Sequence, residues 1–376
     1  MTEINTLTEI ANTNYERLKA GNLDNLASLT LVICSYERAY YLTRQVTFWW
    51  KFPCSILIAD GSKVKNEQVS QLCQLRSETA KYFHMPKAPL LERLNRLSKS
   101  IDTDYAMMLA DDDLMLPRGV SELIDGFTNN EVVGVAGKSL SFEFSPQKKI
   151  SYKLAYSFAQ GQLTGSQADR TLRSLDPYTG ICTYAVYRSG AWSASWGNYT
   201  RSSWSSSAVT EIRQTLIAAS LGNILFKDIL YWMLSAEEPP VDTADSKRTV
   251  SFRDWYKAIN GINPEELDAF ENELRKYWPG DTGLEVVKSA LNGYMNNRPE
   301  KKSDRIAHFL SLARFLLNFL KKSDLVLFLW LTVRGNLFGS DLPKFAKKAD
   351  LSQSEVRIVD LASKFLVDFD RVGRGS

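Results

Sequence analysis

Three consecutive carboxylates, Asp111, Asp112 and Asp113, are the residues of this chain with the strongest claim to chemistry. They end the apolar run Tyr105-Ala106-Met107-Met108-Leu109-Ala110, and Pro117 follows. The run is too short and too uniformly apolar for an exposed helix, so it predicts a buried strand. Adjacent carboxylates repel one another, and at the end of a buried strand they require a counter-charge. A hard divalent cation carrying phosphate oxygens would supply it, because Mg²⁺ is bound by one or two carboxylates together with substrate phosphates. A solvated acidic turn after a core strand is the plain alternative.

The elements around this cluster determine what could meet it. Leu29-Thr30-Leu31-Val32-Ile33-Cys34 reads as a β-branched strand, followed by the polar loop Ser35-Tyr36-Glu37-Arg38. Tyr41 to Trp50 predicts a helix that Pro53 ends. Ser55-Ile56-Leu57-Ile58-Ala59 is a second strand and runs into Asp60-Gly61-Ser62. Strand, helix and strand in this order make a βαβ unit with parallel pairing. In open parallel sheets, ligands bind beyond the carboxyl ends of the strands. Ser35, Tyr36, Asp60 and Asp111–Asp113 all follow strand ends, and that convergence argues for a ligand site more strongly than any one motif. Leu90, Leu94, Leu97 and Ile101 recur at helical spacing before the acidic run. Arg93 and Lys87, near the start of that helix, could reach a nucleotide, or could simply belong to a solvated basic face.

Length and composition bound the reading. The 376 residues suggest two domains, or one large domain with an extension. A net charge of +3 gives no global case for a nucleic-acid partner. Cys34, Cys54, Cys73 and Cys182 form no CxxC pair, so buried free thiols in a reducing compartment are expected rather than a zinc site. The amino-terminal residues lack the basic and apolar regions of a signal peptide. The longest apolar run, Leu325 to Val333, is well short of a membrane span. A cytoplasmic protein is expected, with peripheral contact at the inner face of the membrane as the variant.

Taken together, the Ser35-Tyr36 loop, the strand ending at Asp60-Gly61-Ser62, Asn95 within a helix, and Leu109-Ala110-Asp111-Asp112-Asp113 with Pro117 resemble the GT-A glycosyltransferases of the family-2 type. The resemblance covers about Leu29 to Leu234. It implies an α/β fold with a mostly parallel sheet and flanking helices, and transfer of a sugar from a nucleotide-diphosphate donor, a UDP-sugar first among them. By the resemblance, Ser35 and Tyr36 line the base pocket, Arg38 and Arg93 assist nucleotide binding, Asp60 accepts from a ring N–H, and Asp111 contacts the ribose. Asp112 would ligate Mn²⁺ or Mg²⁺, with Asp113 beside it. Ala110 departs from the family, which commonly carries the first carboxylate of its metal motif at that position. Asp60 before a glycine is also an ordinary turn residue.

Glu211 starts the segment Glu211 to Leu221, which ends at Gly222 before another strand. The resemblance makes it the general base, and Thr210 stands where an acidic residue usually precedes that base. A helix-start Glu stabilised by the macrodipole is the structural alternative. Trp192, Trp196 and Trp204 lie in a serine-rich stretch. As exposed loop residues they would suit the apolar faces of an acceptor sugar, and as buried ones they would be core packing.

The expected organisation is a helical leader over residues 1–27, a catalytic domain over 28–238, and a helical region over 239–376. The carboxyl-terminal helices would pack on the catalytic domain, self-associate, or contact membrane through the Leu- and Phe-rich stretch Ile306 to Val333 and Lys344, Lys347 and Lys348. The resemblance points to an inverting, metal-dependent glycosyltransferase acting on a hydroxyl of a glycan or glycoconjugate in surface polysaccharide assembly. An inactive nucleotide- or glycan-binding scaffold is the first alternative. A nucleotidyltransferase is the second, although Ser35-Tyr36-Glu37-Arg38 lacks the glycines expected of a phosphate-cradling loop.

Overall fold

Two rows of apolar side chains alternate along the first strands and send one core to each face of a central sheet. The structure is a computed structural model that describes residues 2–144, 149–155, 161–201, 203–237, 251–259, 264–296 and 341–373. In chain order its elements are α1 (Thr2–Leu18), β1 (Leu29–Ser35), α2 (Ala39–Trp49), β2 (Ser55–Asp60), α3 (Glu67–Gln74), β3 (Ala80–His84), α4 (Leu90–Ser98), β4 (Tyr105–Met108), β5 (Leu114–Met115), α5 (Pro117–Ile124), β6 (Val132–Phe144) and β7 (Ile150–Leu154). Then follow α6 (Gln167–Ser174), β8 (Val186–Arg188), α7 (Ser189–Trp196), α8 (Ala208–Leu221), β9 (Asn223–Ser235), α9 (Phe252–Ile259), α10 (Pro264–Arg275), α11 (Gly280–Asn296), α12 (Leu342–Lys348) and α13 (Gln353–Gly373).

The sheet runs β3-β2-β1-β4-β8-β6-β9-β5, with β7 paired to β6. Its first four strands are parallel. β8 pairs antiparallel with β4 and with β6, and β6 and β9 return to parallel pairing. Leu29, Leu31, Ile33, Ile56, Ile58 and Met107 face one core, whereas Val32, Leu57, Ala59, Ala106 and Met108 face the other. This period-two division is what a sheet covered on both faces demands. α2 closes the first core with Leu42, Val46, Phe48 and Trp49, and α4 closes the second with Leu91, Leu94 and Leu97. The expected α/β class with a helical carboxyl-terminal region therefore holds.

Two local features are not what their sequence suggests. The run Ile181 to Tyr187 has the composition of a strand, but Ile181–Tyr184 is a 3₁₀ turn entered through Gly180 at φ 68°, and only Val186–Arg188 is extended. The serine-rich stretch begins as helix α7, because Trp192 and Trp196 stand at i, i+4 and are buried on one helical face.

The carboxyl-terminal helices build no independent body. Phe252, Trp255, Phe270, Leu274, Trp278 and Leu291 share a third core with Leu175, Val209, Ile212 and Leu216 of α6 and α8 and the turn between them. α13 lies against α1 and α2: the Phe48 and Phe365 rings meet at 5.0 Å, and Arg17 pairs with Asp368 at 2.7 Å. The leader and the last helix thus contribute to the sheet's own core. The described carboxyl-terminal helices pack on the sheet-bearing part of the chain. The stretch Ile306 to Val333 lies outside the described residues. Lys344, Lys347 and Lys348 are exposed on α12, and no helix among the described residues is long and apolar enough to cross a membrane.

Phe365 is 1% exposed, so Phe365→Ala should remove about 3–5 kcal/mol of stability in urea unfolding, as large-to-small changes in cores do. A loss below about 1 kcal/mol would mean that α13 is not part of the core that supports β1 and β2.

Candidate active site

Register brings the polar groups together. Ser35 stands directly opposite Asp60 across the β1–β2 pair, and the Leu109 amide donates to the Val32 carbonyl at 2.9 Å, which carries the β4 end to the same edge. There Ser35 Oγ donates to Asp111 Oδ2 at 2.7 Å. Arg38 Nη1 reaches Asp111 Oδ1 at 3.0 Å and Asp112 Oδ2 at 3.3 Å. The counter-charge that three carboxylates require is therefore supplied in part by the chain itself. Two neighbours on α2 fix the loop from below: Arg44 Nη2 donates to the Asp112 carbonyl at 2.7 Å and Gln45 Nε2 to the Ala110 carbonyl at 3.2 Å. Arg44 is balanced by Glu237 at 3.0 Å.

Each carboxylate has a different environment. Asp111 is buried and doubly bonded; burial raises its pKa against the pull of Arg38 and Ser35. Asp112 is raised by burial and by the Asp111 charge, and its side chain keeps 16% exposure. Asp113 points inward, accepting from Trp232 Nε1 and from the Ser235 amide, both at 2.8 Å. Burial, then the Asp112 charge, pushes Asp113 up to about 8 against those two donors. Burial pulls the Arg38 guanidinium down, but Asp111 and Asp112 outweigh it and the net shift is upward.

The three carboxylates differ in what they could offer a metal ion. Asp113, expected beside the ion, accepts from β9 through both of its oxygens. Asp111 is buried and accepts from Ser35 through one oxygen and from Arg38 through the other. Asp112 alone offers a part-exposed carboxylate, and one carboxylate with substrate phosphates is a sufficient donor set for Mg²⁺. Among the described residues, no group of three or more His, Cys, Asp or Glu forms a ready-made cage.

Beside the acidic loop lie the residues expected to line a base pocket. Asp60 is 1% exposed; its Oδ1 accepts from the Ser62 amide at 2.9 Å and its Oδ2 from the Tyr82 hydroxyl at 2.7 Å. A carboxylate has roughly four lone-pair sites, so a further donor can still be accepted. Arg93 lies across these residues, with Nη1 donating to the Ser35 carbonyl at 2.6 Å, while its buried Nε has no partner. Gly61 makes the approach feasible: a Cβ there would stand 3.1 Å from the Arg93 guanidinium and 3.3 Å from the Tyr36 ring. Tyr36 is half-buried, and His84 bonds the Ser62 carbonyl at 2.9 Å.

Glu211 lies in the first turn of α8, exposed, and takes a hydrogen bond from Tyr178 at 3.3 Å. Desolvation by its surroundings raises its carboxyl, opposed by Tyr178. Among the described residues no hydrogen bond or ion pair joins it to the acidic loop. On the acidic-loop side, Tyr184 of the 3₁₀ turn 181–184 packs tilted against Trp232 with ring centroids 4.4 Å apart, and Trp232 bonds Asp113. The tryptophan expectation is corrected. Trp192 and Trp196 are core residues, 0% and 4% exposed, and offer no face to a sugar. Trp204 is half-buried between Trp255 and Phe270.

Several site residues escaped the sequence reading. Arg44 had a signal, as a lone cation within an apolar helix. Tyr82, Trp232 and Ser235 had none, because their roles arise only from pairing between distant strands.

No family model and no curated protein matches the chain. Among solved structures it is similar to S. aureus TarS. Residues 1–349 of that protein in complex with UDP superpose with a TM-score of 0.46 at 11% identity over 73% of each chain. The same TarS segment alone gives 0.46 at 12% identity over 92% of this chain and 90% of that one. With UDP-GlcNAc it gives 0.47 at 12% identity and the same coverage.

A carboxyl with a pKa raised on folding stabilises most below its unfolded value, near 3.8, and loses that contribution as pH climbs toward about 8. The melting-temperature advantage of wild type over Asp113→Asn should therefore be largest near pH 4.5 and shrink by pH 8. A constant difference across that range would mean that Asp113 titrates like an exposed carboxyl.

Proposed function

We propose that this chain is a glycosyltransferase of the GT-A type that moves a sugar from a nucleoside-diphosphate donor, a UDP-sugar first, to a hydroxyl of a glycan or glycoconjugate. The observation that carries the reading is the single hydrogen-bonded edge made by three parallel strands. The ends of β1, β2 and β4 bring Ser35 to Arg38, Asp60 and Asp111 to Asp112 together, with Arg93 crossing between the first two. In this reading Tyr36 stacks on the base, and Asp60 with Arg93 reads its polar edge. Asp111, held by Ser35 and Arg38, faces the ribose. Asp112 is the residue that would hold Mn²⁺ or Mg²⁺, and such an ion would neutralise the charge of the departing diphosphate. Arg38, already within reach of Asp112, would turn its guanidinium toward phosphate oxygens, for which its planar fork is suited.

Glu211 is the general base of the proposal. Desolvation raises its carboxyl, which makes the carboxylate a better proton acceptor than an unperturbed Glu. It would take the proton of the acceptor hydroxyl as that oxygen bonds to the anomeric carbon and the bond from that carbon to the diphosphate oxygen breaks. One displacement of this kind inverts the anomeric configuration. Surface polysaccharide assembly at the inner face of the membrane is the setting that the sequence resemblance implies.

A second reading, a nucleotide-binding scaffold without transfer activity, is favoured by one feature: Arg38 already partners both Asp111 and Asp112, and Ala110 supplies no further carboxylate.

The two readings divide on Glu211→Gln. Loss of a general base should lower the transfer rate by about 10²–10⁴-fold while UDP affinity, read by calorimetry, stays the same. A variant with full transfer activity would remove Glu211 from the chemistry. A wild-type protein that binds UDP yet neither transfers sugar to a broad acceptor panel nor hydrolyses donors would establish the scaffold reading instead.

A further inference from the structure

The connection between α7 and α8 leads directly into the turn that carries Glu211, and it is gripped from two sides. From α10, two buried glutamates seven positions apart make the same two-pronged contact. Glu273 Oε1 accepts from the Thr200 amide at 2.9 Å and from its hydroxyl at 2.7 Å. Glu266 accepts from the Ser205 amide at 3.1 Å and from its hydroxyl at 2.7 Å. Residues seven apart on a helix lie on one face two turns apart, so α10 presents both carboxylates to a single stretch of chain. Glu273 also holds the Arg213 guanidinium of α8, whose Nη1 donates to the Ser195 carbonyl at 2.7 Å and whose Nη2 reaches the Gly197 carbonyl. Glu266 takes the Trp255 indole N–H at 2.6 Å and the Arg201 side chain at 3.5 Å. From the opposite side, Asn95 of α4 brackets Tyr199, accepting its amide at 3.0 Å and donating to its carbonyl at 3.2 Å. Gly197 lies so close to α4 that a Cβ there would meet Ser98 Oγ at 2.6 Å.

Stability alone gives weak reason for this arrangement. Buried charge pairs cost desolvation that well-packed apolar side chains would avoid, and they are more readily explained by the geometry they enforce. What these fix is the path from Gly197 to the first turn of α8. We propose that Glu266 and Glu273 are positioning residues for the transfer step. With Asn95 they hold the connection, and through it Glu211, at a set distance from the donor edge that α4 also touches through Arg93. The proposal rests on the reading of Glu211 as base. It gives the helices beyond residue 250 a part in the reaction, distinct from the core-filling part of α13.

Glu273→Gln would strand the Arg213 charge in the interior and could fail to fold, so the test uses Glu266→Gln and the double variant Thr200→Ala/Ser205→Ala, which leaves both glutamates and the Arg213 pair intact. Hydrogen–deuterium exchange over residues 199–213 should accelerate by about tenfold in both variants, with exchange in β1, β2 and α4 unchanged. UDP affinity should stay within twofold of wild type by calorimetry. The transfer kcat should fall by up to about 10²-fold with donor KM unchanged, as a displaced catalytic group would give. Faster exchange with an unaltered kcat overturns the proposal, and so does a joint loss of UDP affinity, kcat and melting temperature, which would mark the glutamates as general supports. If wild type transfers no sugar, the reading of Glu211 as base fails and the positioning role falls with it; exchange then decides only whether Glu266 and Glu273 hold the chain, which unchanged protection of residues 208–213 in both variants would overturn.

Discussion

Three adjacent carboxylates at the end of a buried strand are the constraint that organises this molecule. Ionised carboxyls resist leaving water, and neighbours of like charge compound the cost. The chain meets that cost in three different ways. Asp111 is paired with Arg38 and Ser35, Asp113 is turned inward onto Trp232 and the Ser235 amide, and Asp112 is left part-exposed. The partition converts a repulsive run into one structural acceptor, one braced carboxylate and one part-exposed carboxylate that shares Arg38. The backbone bonds from Arg44 and Gln45 hold the loop in the conformation that makes the partition.

The same helices that close the cores also address the site. α2 fills one core with Leu42, Val46 and Phe48 and sends Arg44 and Gln45 to the acidic loop. α4 fills the other with Leu91, Leu94 and Leu97, while Arg93 reaches the Ser35 carbonyl and Asn95 brackets Tyr199. A helix clamped by its apolar stripe presents the polar residues between those core positions in fixed directions. Beneath this, α13 and α1 back the sheet and make the first and last helices of the described chain part of one core.

Much of this architecture was legible in the sequence, because it follows from local pattern. The apolar runs at Leu29, Ser55 and Tyr105 read as strands, and the polar residues after each converge on one edge by the rules of parallel sheets. Asp60, Ser35 and the acidic run were found on that ground alone. What escaped was what depends on tertiary partners. Asp113 looks identical to Asp112 in sequence and differs only through Trp232 and Ser235 on a strand more than a hundred residues away. Trp192 and Trp196 sit among serines and so read as loop residues, yet their spacing of four put them on the buried face of a helix. The glutamates of α10 carry no signal in sequence, since nothing local tells that their partners are Thr200, Ser205 and Arg213.

The central claim is that the edge formed by Ser35, Asp60, Arg93 and Asp112 is a nucleoside-diphosphate site, and a crystal structure of the protein grown with UDP and Mn²⁺ tests it most directly. The account predicts uracil against the Tyr36 ring within hydrogen-bond distance of Asp60 or Arg93, with the diphosphate beside Asp112 and Arg38. UDP bound elsewhere on the molecule, or an empty edge with the Arg38 pairs to Asp111 and Asp112 intact at millimolar UDP, would contradict it.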